Sequence, residues 1–163
     1  MAGEDQSFEA WYRATHPLLL VAMRAYTGDR DVAAEVTDEA FSRALRHWRR
    51  VQTMASPDGW TYRVAVNLAR RRARRQRVER RLFPLIASSP TVSPPAGEVW
   101  SLVRDLPPRQ RLAVVLRYVA DLDEAEVAAV MKVRRGTVAS TLWSARQSLG
   151  ALLAEPEAME EKL

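Results

Sequence analysis

The chain has 163 residues, of which 47% are hydrophobic and 28% charged, and its formal net charge is +5. This balance is too apolar for an intrinsically disordered protein, and the length allows either one domain or two small ones. The basic excess, supplied mostly by arginine, is compatible with an anionic partner. Because the chain contains no cysteine, disulfides, thiolate metal sites and thiol nucleophiles are excluded.

The sequence contains no pattern typical of catalysis, of a metal site or of a membrane span. Its two histidines, His16 and His47, lack neighbours at metal-ligand spacing, and glycine-rich phosphate loops and nucleophile elbows are missing. The longest apolar run, residues 18–23, is far too short to cross a bilayer. The first residues are polar and acidic, unlike a signal peptide. We therefore expect a cytoplasmic protein with no cofactor, no metal and no catalytic residue.

Apolar residues recur at helical spacing almost throughout, which predicts an all-α protein. In the first half, three helices are predicted over about residues 8–26, over about residues 31–48 and from residue 57 onward. Ser7 and Asp31 are candidate N-caps, and Pro17 should kink or divide the first helix. After a loop at residues 49–55, Ser56 and Pro57 predict a helix start, because serine caps helices and proline favours their first turn.

The third predicted helix becomes basic after Ala69. Most residues between Arg70 and Arg81 are arginine, and one is acidic. Like charges along a helix repel one another, so a stable helix here gains most from an anionic partner, and the guanidinium fork suits phosphate. The run favours nucleic acid binding. A solvated basic face and a contact with acidic lipid are the alternatives.

Composition changes sharply at residues 83–97, which are rich in proline, serine and small residues. Such a segment is typical of a semi-extended linker, because proline stiffens the chain and no periodic apolar face is present. The sequence therefore predicts two small helical domains, over residues 1–82 and 98–154. An acidic tail over residues 155–163 follows.

Four short helices are predicted after the linker. The last two, over residues 124–131 and about 136–153, are separated by a short connection, which is the spacing of a helix-turn-helix motif. In that motif the second helix enters the major groove of DNA. An ordinary helical hairpin has the same apolar spacing, so the pattern alone leaves both interpretations open.

A small acidic patch lies on the second predicted helix. Helical spacing places Glu35, Asp38, Glu39 and Ser42 on one face. Acids near a helix N-terminus are stabilised by the helix dipole, so local stabilisation explains them as well as a protein-binding surface does.

Both halves of the chain resemble the extracytoplasmic-function (ECF) sigma factors, in family order and spacing. The stretch GDRDVAAEVTDEAFSRAL is similar to the family's region 2.2, and SPDGWTYRVAVNLARRRARR is similar to regions 2.3 and 2.4. In the second half, LPPRQR and GTV followed by AR are close to the region 4 pattern. The resemblance implies a transcription initiation factor with a region 2 domain and a region 4 domain. Such a factor binds core RNA polymerase and promoter DNA and catalyses nothing itself.

The resemblance also implies roles for individual residues. Glu35, Asp38 and Glu39 would bind the clamp helices of the largest polymerase subunit. The loop after Trp48, together with Asn67, would capture an unpaired base of the −10 element. The residues expected to contact the −10 element are Asn67, Arg70, Arg71, Arg74 and Arg77. Those expected to contact the −35 element are Arg134, Arg135, Thr137, Ser140, Thr141 and Arg146. An anti-sigma factor is a further expected partner.

This chain departs from the family pattern at several of these positions. Ala34 and Asp38 replace the usual residues of the polymerase-binding helix, and Arg71 and Arg72 follow Asn67 where an aspartate is usual. Short residues occupy recognition-helix positions where arginine or lysine is common, namely Ala139, Thr141 and Ser144. Short side chains cannot fork onto guanine, so we expect loose −35 recognition that relies on backbone contacts and DNA shape.

Trp48 and Trp60 each allow two roles. They could stack on bases, but each falls on an apolar face, which favours core packing.

Two alternative functions remain for the whole chain. They are a stand-alone helix-turn-helix regulator and a degenerate sigma-like adaptor. The resemblance of the first half to region 2 argues against the stand-alone regulator, which needs no surface for the polymerase clamp.

The linker assignment leads to a proteolysis prediction. Limited digestion should cut first in or beside residues 83–97, because a segment without a periodic apolar face is the most accessible to a protease. Mass spectrometry of the first fragments measures this. Early cleavage within residues 64–75 would contradict the boundary.

Overall fold

A computed structural model describes residues 7–82 and 98–160, without the side chains of residues 98–99 and 152–160. The predicted linker at 83–97 lies outside these ranges. The elements are α1 (Phe8–Thr27), α2 (Arg30–Arg46), α3 (Trp48–Val51), α4 (Pro57–Leu82), α5 (Glu98–Asp105), α6 (Pro108–Val114), a π-helical turn (Val115–Val119), α7 (Glu124–Met131) and α8 (Arg135–Glu160). The two described stretches contain helices and no β-strand, which confirms the all-α prediction.

Several predicted helix boundaries are confirmed by the hydrogen bonds at their ends. The Ser7 hydroxyl accepts a bond from the Ala10 amide, and the Ser56 hydroxyl accepts one from the Gly59 amide at 2.9 Å. At the other end of α1, Gly28 adopts φ of +68°, a left-handed conformation that glycine tolerates without a steric penalty. Side chains that satisfy the free amides of a first turn define where each helix begins.

Other boundaries differ from the predictions. Pro17 does not divide α1, which runs unbroken from Phe8 to Thr27, since proline removes one backbone bond while the packing of this helix is retained. The cap of α2 is Asp29 instead of Asp31, because the Asp29 carboxylate accepts bonds from the amides of Asp31 and Val32.

The predicted loop and the last predicted helix also need correction. The short helix α3 occupies part of the loop expected at residues 49–55, because the backbone amides of Arg50 and Val51 both bond to the His47 carbonyl. The last helix was predicted to end near residue 153, but α8 continues to Glu160. Pro156 removes one backbone bond there without ending the helix.

The core of the first half is built on an aromatic cluster. The Trp11 ring lies 5.1 Å from the Phe41 ring and 4.8 Å from the Trp48 ring, and Phe8 meets Trp48 edge to face at 5.3 Å. Tilted and edge-to-face rings place positive edges near negative faces, which adds to the free energy of burial. The cluster joins α1, α2 and α3.

Asp58, in the first turn of α4, ties that helix to α1. Its carboxylate accepts a 2.6 Å hydrogen bond from Trp11 Nε1 and a 3.3 Å bond from the Thr15 hydroxyl. Trp11 and Thr15 are both buried, so these donors have no access to water. The two bonds fix the position of α4 along α1.

The second half packs as a helix-turn-helix with two supporting helices. The motif buries Val127 and Val130 of α7 against Val138 and Leu142 of α8, and Leu112 of α6 is buried with them. An Asp123–Glu126 capping box begins α7, since each side chain accepts a bond from the other residue's amide. Apolar spacing alone also allowed an ordinary helical hairpin, and the short connection between Met131 and Arg135 is that of a helix-turn-helix.

The two halves pack against each other over one continuous set of buried residues. Arg111 of α6 bridges them: one guanidinium nitrogen donates to the Tyr26 carbonyl at the end of α1, and the other donates to the Leu106 carbonyl. Burial lowers the pKa of Arg111, but its bonds to carbonyl oxygens use the charged form. The chain is therefore described here in a closed arrangement.

The bonds of Asp58 give a stability prediction. Asp58→Ala should lower the free energy of unfolding by about 1–3 kcal/mol, because it leaves the buried Trp11 N–H without an acceptor. Urea unfolding followed by tryptophan fluorescence measures the change. Asp58→Asn retains a carbonyl acceptor and should recover much of the loss, and Asp31→Ala, an exposed acid, should change stability by at most about 0.5 kcal/mol. Equal effects of Asp58→Ala and Asp31→Ala would show that the Asp58 bonds contribute nothing.

Candidate polymerase and nucleic-acid interfaces

The acids of the predicted polymerase surface lie together on α2. Glu35 and Asp38 are exposed, and Glu39 is half-buried beside them. Each has a basic residue beside it in the same chain: Glu35 pairs with Arg72 of α4 at 3.5 Å, and Asp38 lies 3.2 Å from the His16 ring nitrogen of α1. The patch is therefore mixed in charge rather than uniformly acidic.

Glu39 is the most strongly held of these acids. Arg43 donates to its carboxylate at 2.7 Å, and Arg46 lies 3.5 Å away. The bond from Arg43, together with the positive charges of Arg43 and Arg46, lowers the pKa of Glu39 below its usual value. Glu39 is thus ionised at neutral pH and presents a fixed carboxylate beside two basic groups.

One face of α4 carries four of the five residues predicted to contact the −10 element, and Arg77 lies beside that face. Helical spacing places residues three or four positions and seven positions before and after Asn67 on the same face of the helix. We call this face the α4 stripe, and its members are Trp60, Arg63, Asn67, Arg70, Arg71 and Arg74. The opposite face is buried, at Tyr62, Ala65, Val66 and Ala69. The buried face holds α4 in place, and the arginines of the stripe beyond Asn67 are left for other contacts.

The arginines of α4 fall into paired and unpaired groups. Arg72 pairs with Glu35, and Arg75 with Glu79 at 2.8 Å. Within the described ranges, no carboxylate lies at ion-pair distance from the predicted −10 arginines, which are Arg70, Arg71, Arg74 and Arg77. These four cations therefore remain available to an anion.

The two tryptophans beside the predicted −10 pocket pack toward the core. Trp48 lies against Phe8 and Trp11, and Trp60 is partly buried against the core. Burial of this kind favours the structural role over base stacking.

The loop before α4 contacts the second half of the chain. The Ser56 hydroxyl, which also caps α4, donates to the Glu126 carboxylate of α7. A cavity of about 170 Å³ lies beside this bond, lined by Met54, Ser56, Gly59, Trp60, Arg63, Glu126 and Ala129. In the closed arrangement, α7 therefore covers the loop end of the α4 stripe.

The helix-turn-helix has a tight, defined turn. Lys132 adopts φ of +59°, and the Val133 amide bonds to the Ala128 carbonyl. Arg134 and Arg135 are exposed at the start of α8, where helix N-termini and basic groups favour phosphate.

The remaining predicted −35 residues differ in exposure. Ser140 and Arg146 are exposed, whereas Thr137 and Thr141 are half-buried. The Ser140 and Thr141 hydroxyls both donate to the Thr137 carbonyl, the latter at 2.6 Å. Arg146 donates to the Tyr118 hydroxyl at 2.6 Å. Back-bonded hydroxyls point along their own helix, so Thr141 presents mainly its methyl group.

Trp143 is a surface residue that the sequence reasoning missed. Its side chain is 62% exposed on α8, between exposed Ser140 and exposed Arg146. The signal was available, since residue 143 lies one turn beyond positions 139 and 140 and opposite the apolar positions 138, 142 and 145. The outward face of α8 therefore includes one large aromatic side chain among short ones.

The described ranges contain neither a metal site nor a membrane-spanning helix. No group of His, Cys, Asp or Glu residues there could hold a metal ion. No helix there is long and apolar enough to cross a membrane.

Comparison with known proteins places both halves in one family. The family model of sigma-70 region 2 matches residues 6–79, and that of sigma-70 region 4 matches residues 96–149. The two matches occur in the predicted order and together span most of the chain.

Two curated relatives support the same family. The RNA polymerase sigma-E factor of Streptomyces coelicolor is 26% identical, with 98% of this chain and 96% of the relative covered. The ECF RNA polymerase sigma factor SigE of Mycolicibacterium smegmatis is 29% identical over 79% of this chain, and the match spans about half (54%) of that relative.

Solved structures show the same fold. The sigma factor RpoE of Bartonella quintana, in complex with the anti-sigma factor NepR, superposes with a TM-score of 0.79 at 18% identity, covering 90% of this chain and 96% of that one. CnrH, in complex with the cytosolic domain of CnrY, gives 0.64 at 22% identity, covering 94% and 92%.

The class of protein follows from the fold and the family models: a two-domain, all-α factor with a region 2 domain and a helix-turn-helix region 4 domain. The chain belongs to the sigma-70 family and, within it, to the ECF sigma factors. It is a transcription initiation factor whose partners are core RNA polymerase and promoter DNA.

Proposed function

We propose that this sigma factor reads the −10 element with the α4 stripe and contacts the −35 element with the outward face of α8. It binds the polymerase clamp helices through α2, catalyses no reaction itself and acts in the cytoplasm, where a bacterial polymerase meets its promoters. The unpaired arginines of α4 are the observation that carries the proposal.

The −10 assignment rests on the chemistry of the α4 stripe. Opening a promoter requires a base to leave the stack, at a cost of a few kcal/mol that a protein pocket must offset. Asn67 is half-exposed beside the arginines, and an amide both donates to and accepts from a base edge. Arg70, Arg71 and Arg74 follow it along the helix and suit the phosphates on either side.

The −35 assignment combines backbone contacts with one aromatic side chain. Arg134 and Arg135, at the start of α8, suit phosphates, and Ser140 is short. Trp143 adds an exposed apolar surface, which can contact a thymine methyl group in the major groove. We therefore propose that −35 discrimination depends on Trp143 and is weak elsewhere.

The domain boundaries and one more partner belong to the same proposal. Residues 1–82 and 98–154 act as separate domains joined by residues 83–97, so that the halves can part and reach two promoter elements at once. Solved relatives are named as complexes with an anti-sigma factor or with a cytosolic domain, which supports an anti-sigma partner for this chain.

The polymerase surface gives one prediction. The double change Asp38→Lys and Glu39→Lys should weaken binding to core polymerase roughly tenfold, because interface charges set encounter rate and register. Fluorescence anisotropy of the labelled full chain measures the affinity, and circular dichroism checks the fold. Glu9→Lys with Glu79→Lys makes the same charge change on α1 and α4 and should have little effect. Equal loss in both variants would mean that net charge, not this surface, matters.

A base-by-base promoter scan with holoenzyme tests the DNA assignments. In run-off transcription, Asn67→Ala should reduce the penalty for substitutions in the −10 element by about 1–3 kcal/mol, since a lost base contact removes discrimination at its own position. Trp143→Ala should do the same for the −35 element by about 1 kcal/mol.

Leu18→Ala is the control for Trp143→Ala, because Leu18 is another exposed apolar side chain, on α1. It should leave both penalties unchanged. If Trp143→Ala alters only the −10 penalties, or none, Trp143 does not face the groove.

A further inference from the structure

A basic cleft lies between α4 and α6 in the closed arrangement. Its volume is about 720 Å³, and the ends of α1 and α2 complete its walls. Six arginines line it, which are Arg70, Arg74, Arg77, Arg80, Arg109 and Arg111. One acid, Asp29, is among the lining residues. We call this space the basic cleft.

Among the residues that line the basic cleft, one carboxylate, Asp29, stands against six arginines. The Asp29 carboxylate already accepts two backbone bonds, from Asp31 and Val32, as the cap of α2. In the described ranges, no carboxylate lies at ion-pair distance from any of the six cleft arginines. By contrast, Arg72 and Arg75, which do not line the cleft, are both paired. Four arginines of α4 without an ion pair in the described ranges, Arg70, Arg74, Arg77 and Arg80, thus line the cleft.

Arg111 differs from the other five arginines. Its guanidinium donates to the Tyr26 and Leu106 carbonyls and so forms part of the wall. In the part of the chain that the structure describes, the other five guanidinium groups have no hydrogen bond or ion pair. The free groups come from both halves of the chain, since Arg109 belongs to α6 and the rest to α4.

Small or aliphatic residues from both halves also line the cleft. They are Val32, Ala69, Ala73, Leu112 and Met131. The small side chain of Ala73 leaves space beside Arg70, Arg74 and Arg77 on the same helix. A charge beside apolar surface is screened less than in water, so an anion in the cleft is attracted more strongly.

Closing the two halves has an electrostatic cost that a bound anion would remove. Arg109 faces the arginine row of α4, and like charges brought together repel. An anion with several charges can bond to both sides, and guanidinium forks fit phosphate oxygens two at a time. The cleft volume is that of a small-molecule pocket. A DNA duplex cannot enter a space of this size.

We propose that the basic cleft binds a small anion with two or more linked phosphates, which bridges α4 to Arg109 and holds the two halves closed. The proposal does not depend on the DNA assignments above. It does have a consequence for them: α7 covers the loop end of the α4 stripe in the same arrangement. The anion-bound chain is therefore unable to offer the loop end of that stripe, at Trp60 and Arg63, to a promoter.

Calorimetry on the full chain with inorganic tripolyphosphate tests binding without polymerase or DNA. The double variant Arg80→Ala and Arg109→Ala should weaken the affinity roughly tenfold or more, because it removes charge-assisted bonds from both walls. Arg49→Ala with Arg50→Ala removes two exposed arginines of α3, outside the cleft, and should change it less than about twofold. Adenosine triphosphate carries the same phosphate chain and shows whether a base adds affinity.

Tripolyphosphate should bind more tightly than sulfate at equal ionic strength. Equal weakening in the two double variants, or no preference over sulfate, would overturn the site. Either result leaves the promoter and polymerase predictions untouched, since those are measured by transcription with holoenzyme and by binding to core polymerase.

Cross-linking tests whether the anion holds the halves together. The chain has no cysteine, so Met54→Cys and Ala129→Cys, which line the cavity between the loop and α7, give a single pair for a short bismaleimide. Tripolyphosphate should raise the cross-linking yield, and the same pair with Arg80→Ala and Arg109→Ala should lose that response. Unchanged yield with intact calorimetric binding would overturn the bridging role.

Discussion

The hydrogen bonds that Asp58 accepts from Trp11 and Thr15 fix α4 against α1. Both donors are buried, so no water can replace the carboxylate, and the register of α4 is set at its first turn. Because a helix is rigid over many turns, that register decides which direction every later side chain takes. The buried face at Tyr62 and Val66 and the orientation of the arginines that follow both depend on it.

The two halves of α4 lie in different environments. Its first half is packed into the core, where burial raises the pKa of Tyr62 above its usual value. Its second half is exposed and basic, and it projects beyond the packed part of the first domain. The packed half therefore provides the rigidity, while Arg74 and Arg77 remain available to an anion. A core helix with a basic extension can hold these cations together despite their mutual repulsion.

The sites on this chain are connected through the closed arrangement. Glu126 caps α7 and also accepts a bond from Ser56, so one side chain contributes to the helix-turn-helix and to the contact with the first domain. Arg111 joins the halves at a second point through the Tyr26 carbonyl. Parting the halves replaces these bonds with bonds to water, and the net cost of such an exchange is modest for each bond. Access to the α4 stripe is thus a property of the domain arrangement.

The sequence alone determined most of the helices, their order and the family, because apolar spacing, caps such as Ser56 and the motifs around GTV are local patterns, but it placed a loop where the short helix α3 lies. It also determined the basic character of residues 70–81. Local spacing also accounts for the pairs within one helix, such as Arg75 with Glu79, for the bond from the Thr141 hydroxyl to the Thr137 carbonyl and for the outward position of Trp143. Only the tertiary structure decided the contacts between helices: Glu35 meets Arg72 across α2 and α4, and arginines from both halves gather in the basic cleft. Those contacts join residues far apart in the chain, and local spacing carries no information about them.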